Sequence, residues 1–213
     1  MPGAPAMPNM TGSFRRWLST VITAEELLPE ELPEYTRSFV YMFGALTLGS
    51  FICLVASGFT LALFGPEWWH LSSVGHFVNS IHFWSVQCFF FFMVLHLWAQ
   101  FFMAAWRGGR RLTWVVGALL FVSSIIAAFT GYLSQQNLDS QWIAVQGKDA
   151  MNAVGIGAFF NLLNFGQMYS IHIAIMPAVI AALITVHLIL VRRKGLVPPL
   201  ADDAAREGAP HAR

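Results

Sequence analysis

"NSIHFWSVQCFFFFMVLHLW", from Asn79 to Trp98, is almost wholly apolar and yet carries His82 and His96. An apolar run of about 20 residues is long enough to cross a bilayer as a helix. An imidazole inside such a run must be hydrogen-bonded, face a cavity or hold something, because an unpaired polar group in hydrocarbon is costly. What these two histidines do decides how the rest of the chain is read.

The composition places the run in a membrane protein. The chain has 213 residues, 56% of them hydrophobic and 11% charged, with a mean hydropathy of +0.59. Soluble domains carry roughly twice that charged fraction. The length fits one compact bundle. A net charge of +1 gives no reason to invoke nucleic acid. Cys53 and Cys88 sit singly in apolar runs, and neither CxxC nor CxxCH occurs, so no disulfide framework and no standard c-type heme attachment is written here. The opening MPGAPAMPNMTGSF lacks the charged and apolar regions of a signal peptide, so insertion is expected to rely on the first membrane helix.

Residues 1–13 are small and proline-rich and are expected to be disordered. Over 14–34, Phe14, Trp17, Leu18, Val21 and Ile22 alternate with Arg15, Arg16, Glu25 and Glu26, the pattern of an amphipathic helix lying on a membrane surface. Four long uncharged stretches follow, and together they predict an all-α bundle over residues 35–196. The spans are expected at 39–64, 75–105, 113–134 and 169–191. The segment 151–168 reads as a loop with a short interfacial helix, and 197–213 as a flexible tail. Arg15, Arg16, Arg37, Arg107, Arg110, Arg111, Arg192, Arg193 and Lys194 fall before the first span, between the second and third, or after the fourth. The positive-inside rule then predicts that both termini are cytoplasmic.

His82 and His96 are fourteen residues apart on the second span, and His172 and His187 fifteen apart on the fourth. At about 100° and 1.5 Å per residue, each pair lies roughly on one face of its helix, with its members about 21 or 22 Å apart. Both spans run from the outer to the inner side. His82 therefore shares an outer depth with His172, and His96 an inner depth with His187. Two imidazoles do not complete a tetrahedral zinc site, and no thiol or carboxylate stands at the same depth. A heme iron needs only two axial ligands, because the porphyrin supplies the other four. The bland alternative is four separately satisfied buried histidines, which pairing in depth on two co-directional helices disfavours. Gly44 and Gly58 on the first span, and Gly117 and Gly131 on the third, repeat the spacing of fourteen. Ordinary small-residue helix packing would explain these glycines alone. Beside the histidine ladder they are expected to clear room for flat porphyrins.

The chain resembles the N-terminal, heme-binding half of cytochrome b from bc-type complexes, closest to the shorter b6 form, over roughly residues 36–200. The carriers are the four histidines, the two glycine pairs, "RRLTWVVG" (110–117), "FTGY" (129–132), "YSIHIAIMP" (169–177) and "HLILVRRKGLVPPL" (187–200). The spacing of fifteen and Pro177, five residues after His172, are b6-like details. The resemblance implies two noncovalent b hemes, with His82 and His172 ligating the outer one and His96 and His187 the inner one. It implies a diheme subunit of a quinol/quinone oxidoreductase in a bacterial inner membrane, active within a complex. A separate C-terminal cytochrome b half, a Rieske or c-type subunit, quinone and lipid are the partners it implies, in a dimeric assembly. Arg110, Thr113 and Trp114 are candidates for the inner-heme propionates or the inner quinone region.

The chain also departs from the family. Arginines expected beside the outer heme align with the neutral Asn79, Phe83 and Gln167, and "GYLSQQNLDSQW" (131–142) replaces a proline-tryptophan segment of the outer quinol site. His76 is a candidate propionate donor there. The b6-type cysteine that holds an extra heme aligns with Met42, so no covalent heme is expected. "PEWW" (66–69) reads as a loop turn with interfacial tryptophans. The rival function is a diheme membrane anchor linking a periplasmic dehydrogenase or hydrogenase to the quinone pool. A heme-free structural subunit is the non-redox rival.

Overall fold

The computed structural model describes residues 10–21 and 33–200. Of the segment 1–13 expected to be disordered, residues 10–13 instead open a helix; residues 1–9, residues 22–32 of the predicted surface helix and the tail beyond 200 lie outside the described residues. Described elements are all helical: α1 (Met10–Val21), α2 (Met42–Leu71), α3 (Ser73–Phe102), α4 (Arg111–Leu133), α5 (Leu138–Ala153), α6 (Phe165–Ser170) and α7 (Met176–Lys194), with a π turn (Ile171–Ile175) joining α6 to α7. Four segments are long and apolar enough to cross a membrane: Phe39–Leu71, Ser73–Phe102, Arg111–Leu133 and Phe165–Lys194. Helices satisfy their own backbone, which is why they are the form such sequences take in hydrocarbon. Serine and threonine hydroxyls within them bond back one turn, as Thr47 to the Phe43 carbonyl (2.8 Å) and Thr185 to that of Ala181 (2.8 Å).

α2 lies along α3, and α4 along α7, so the bundle is built of two helical pairs with sparse direct contact between them. The α2–α3 connection corrects the sequence expectation of a loop at 65–74. The chain kinks at Gly65, whose φ of 79° suits only glycine, and Pro66 then starts a further helical stretch to Leu71. Ser72 alone breaks it, and its Oγ caps α3 by accepting from the Gly75 N–H (3.2 Å). Gly75 itself lies against the Trp68 carbonyl and Trp69 Cα, where no side chain fits. The two tryptophans of "PEWW" divide: Trp68 stacks on Phe64 with centroids 4.5 Å apart, while Trp69 is buried beside Tyr169.

The 134–164 connection carries a sixteen-residue helix, α5, that the sequence reading placed later and shorter. Asn137 caps it, its Oδ1 accepting from the Ser140 N–H (2.8 Å). Leu133, Ala144, Leu162 and Met168 form the apolar cluster that seats α5 against α4 and α6. At the opposite end the segment after α7 is strapped down. Tyr35 and Tyr41 donate to the carbonyls of Leu196 (3.2 Å) and Val197 (2.7 Å), and Arg107 donates to that of Pro198.

Candidate functional site

The four histidines form two levels inside the bundle. At the first, the His82 ring from α3 and the His172 ring from the π turn stand with centroids 6.2 Å apart and planes at 86°. At the second, His96 and His187 lie within electrostatic range of each other. The pairing of His82 with His172 and of His96 with His187 is the one that the axial spacing predicts.

The two rings of the first level are held from behind. The His82 Nδ1 lies 3.0 Å from Ser57 Oγ. Ser57 spends its own proton on the Cys53 carbonyl (2.7 Å), so it accepts here and His82 Nδ1 donates. The His172 Nδ1 lies 2.9 Å from the Ala127 carbonyl, which can only accept. Both rings are therefore protonated on Nδ1, leaving the Nε2 lone pair free for a metal. At the second level the Nδ1 atoms of His96 and His187 are buried without a hydrogen-bond partner. The Thr113 carbonyl lies near His187, outside hydrogen-bond geometry.

The glycines meet the histidines themselves. A Cβ at Gly44 would come within 3.2 Å of His96 Cε1, at Gly58 within 3.0 Å of His82 Cε1, and at Gly117 within 3.2 Å of His187 Cε1. At Gly131 it would strike the His172 ring outright. The same four glycines that are expected to clear room for porphyrins also clear the imidazoles. Each histidine backs onto a helix surface that has no side chain at the point of contact.

Of the other candidates, Arg110 is turned to the strap after α7, donating to the carbonyls of Lys194 (3.0 Å) and Gly195 (3.2 Å). Thr113 is half-buried one turn before Gly117. Trp114 packs with Trp106, centroids 5.3 Å apart. Of the positions of the expected arginines, Asn79 exchanges amide hydrogen bonds of 3.1 and 3.3 Å with Gln135. Gln167 accepts from the Asn161 N–H (2.7 Å) and donates to the Phe159 carbonyl (2.9 Å), so it ties the loop to α6. Phe83 is exposed on α3. The His76 ring engages the His70 carbonyl at 3.0 Å. Sequence reasoning missed Ser57 and the Ala127 carbonyl. Ser57 could have been found as the hydroxyl next to Gly58; a backbone carbonyl leaves no such trace.

Two nitrogen donors on one metal, each about 2 Å from it, put imidazole centroids about 6 Å apart, close to the 6.2 Å observed. Among the described residues no third histidine, cysteine or carboxylate joins either pair to make a cluster of three. A two-donor site suits a metal whose other positions come from a macrocycle, so the residues fit a heme.

The model of the family described as cytochrome b (N-terminal)/b6/petB matches residues 87–212, more than half the chain. The chain belongs to this family. The match takes in His96, His172 and His187. Among relatives, the cytochrome b6 of Heliobacterium modesticaldum is 29% identical, over 83% of this chain and 93% of its own length. A protein of Geobacillus thermodenitrificans named menaquinol:cytochrome c reductase cytochrome b subunit is 27% identical over 82% of this chain and 91% of its own. In fold, the chain resembles a chain of a hyperthermophilic respiratory complex III with a TM-score of 0.67 at 22% identity. That alignment covers 92% of this chain and 61% of the solved one.

Proposed function

We propose that this chain is the diheme cytochrome b subunit of a bc-type quinol:cytochrome c reductase, passing electrons across the membrane between two bis-histidine sites and exchanging them with quinone. The observation that carries the proposal is the pair of histidine levels, with His82 facing His172 at 6.2 Å. Bound at each level, a b heme would supply one-electron redox chemistry. The chain's own part is to hold the ligands. Ser57 and the Ala127 carbonyl fix the Nδ1–H tautomer of His82 and His172, and the four glycines let the rings sit flush against α2 and α4. Between the levels, Phe51 and Phe89 lie 6.0 Å apart, and Ser124 and Ile180 are buried.

The names of the relatives, cytochrome b6 and menaquinol:cytochrome c reductase cytochrome b subunit, support the reaction class. A separate C-terminal cytochrome b subunit and a Rieske or c-type acceptor would complete the complex. The basic residues clustered at the Arg107 and Arg192 ends support cytoplasmic termini in a bacterial inner membrane. Met42 stands where the b6-type cysteine would be, and Cys53 lies eleven residues further along the helix, so both hemes would be noncovalent. The neutral Asn79, Phe83 and Gln167 and the altered 131–142 segment lean towards the dehydrogenase-anchor reading, and the family match and the relatives' names outweigh them.

The test is heme content and its assignment. Denaturing extraction of the purified complex should release two b hemes for each copy of this chain. His82→Ala and His172→Ala should abolish one redox-resolved spectral component, and His96→Ala and His187→Ala the other. A single heme, a heme that stays on the polypeptide in a denaturing gel, or a shared phenotype for His82 and His187 contradicts the proposal.

A further inference from the structure

His172 and His187 are fifteen residues apart, whereas His82 and His96, Gly44 and Gly58, and Gly117 and Gly131 are each fourteen apart. In an unbroken α-helix one residue is worth about 100° of rotation and 1.5 Å of rise. A ladder of fifteen therefore points its second ring about 100° away from where a ladder of fourteen would put it. Yet the two histidines of the fourth span meet glycines of α4 that are fourteen apart. His172 backs onto Gly131 and His187 onto Gly117, each with its ring Cε1 the nearest atom. The odd residue must be taken up between the two histidines or at one of them.

It is taken up at His172. The Met176 N–H bonds to the Ile171 carbonyl, five residues back instead of four. Such a turn inside an α-helix houses one extra residue, and turns of this kind recur at functional sites. Pro177 follows it immediately. Proline has no N–H, and in a continuous α-helix its ring would press on the carbonyl four residues earlier, that of Ile173. Here it falls at the start of α7, where the missing N–H costs little.

We propose that the π turn Ile171–Ile175, held by Pro177, is a positioning element that resets the register of the fourth span. It lets a ladder of fifteen present His172 and His187 as a ladder of fourteen does, in phase with His82 and His96. It also separates the two rings mechanically: the direction of His172 is set by the turn, that of His187 by the regular helix. The spectroscopic part of the test rests on the heme reading above; the geometric part does not.

Geometry is tested first, in heme-free protein. Two double-cysteine variants, Gly131→Cys with His172→Cys and Gly117→Cys with His187→Cys, should both form cross-links. A straight α-helix of fifteen would allow one of them, and a single cross-link overturns the proposal. In the heme-loaded complex, deletion of Ala174 together with Pro177→Ala makes an uninterrupted α-helix with the histidines fourteen apart. Both hemes should be retained. Loss of either, with the protein still inserted, overturns the proposal. Pro177→Ala alone, with fifteen residues kept, should move the ferric EPR position and midpoint of the His82–His172 component and leave the other in place. An unmoved component overturns the role given to the proline. Two cross-links in a chain that never carries heme would instead overturn the heme reading and leave the register device standing.

Discussion

The His82 and His172 rings are perpendicular, their planes at 86° across a centroid separation of 6.2 Å. Parallel axial imidazoles lift the degeneracy of the iron orbitals and perpendicular ones nearly preserve it. The ferric form of this site should therefore give a strongly anisotropic low-spin EPR signal. A rhombic signal of the parallel-ring type at low temperature would show that the rings turn on binding.

Ser57 holds His82 by a single hydrogen bond of 3.0 Å. Ser57→Ala removes that acceptor, leaving a buried N–H with a penalty of about 1–3 kcal/mol. Loss of such a partner weakens metal binding by about 10–100-fold. A less basic imidazole also stabilises ferric iron less, so the midpoint of this component should rise. Heme retention through purification and a redox titration read the two effects, and the His96–His187 component should stay unchanged in both.

The glycines should rank by what a methyl group would meet. Gly131→Ala drives a Cβ into the His172 ring and should be the most damaging. Gly58→Ala, Gly44→Ala and Gly117→Ala, at 3.0–3.2 Å from their rings, should cost less, within the about 1–3 kcal/mol of overpacking. Gly49→Ala has nothing within 4 Å and should be neutral. Thermal melts of the purified variants, with heme content alongside, give the order.

Asn79 sits one turn before His82 and is paired with Gln135. Asn79→Arg would place a cation on the order of 10 Å from the site, worth about 1.7 kcal/mol at an effective dielectric constant of about 20. A positive charge disfavours the more positive ferric state, so the midpoint of the His82–His172 component should rise. A redox titration that finds it unmoved or lowered would count against neutrality as the feature that matters at this end.

The four spans were legible because a bilayer imposes one length and forbids unpaired backbone, so charge boundaries nearly suffice. The histidine pairing followed from two periodicities and an orientation. What escaped the sequence depended on local exceptions to those rules. Helix α5 contains Asp139, Lys148 and Asp149 and has no strong apolar stripe, so hydropathy passed over it; the Asn137 cap was its one clear signal. "PEWW" reads as a loop turn in sequence, whereas here Gly65 and Pro66 bend a helix and restart it. That the glycines also clear the histidine rings depends on a contact between helices, which no single-chain spacing reveals. The π turn was announced by a spacing of fifteen and Pro177, two details that mean little until the partner glycines are seen.

The sparse contact between the α2–α3 pair and the α4–α7 pair has a consequence for biogenesis. Each histidine level draws one ligand from either pair, so a bound cofactor would rivet together two hairpins that otherwise touch little. Binding energy would then appear as assembly energy. The first hairpin can insert and wait, half a socket on its face, until the second closes over the cargo. A cell short of heme would then accumulate an open, protease-sensitive clamshell instead of an empty but finished protein.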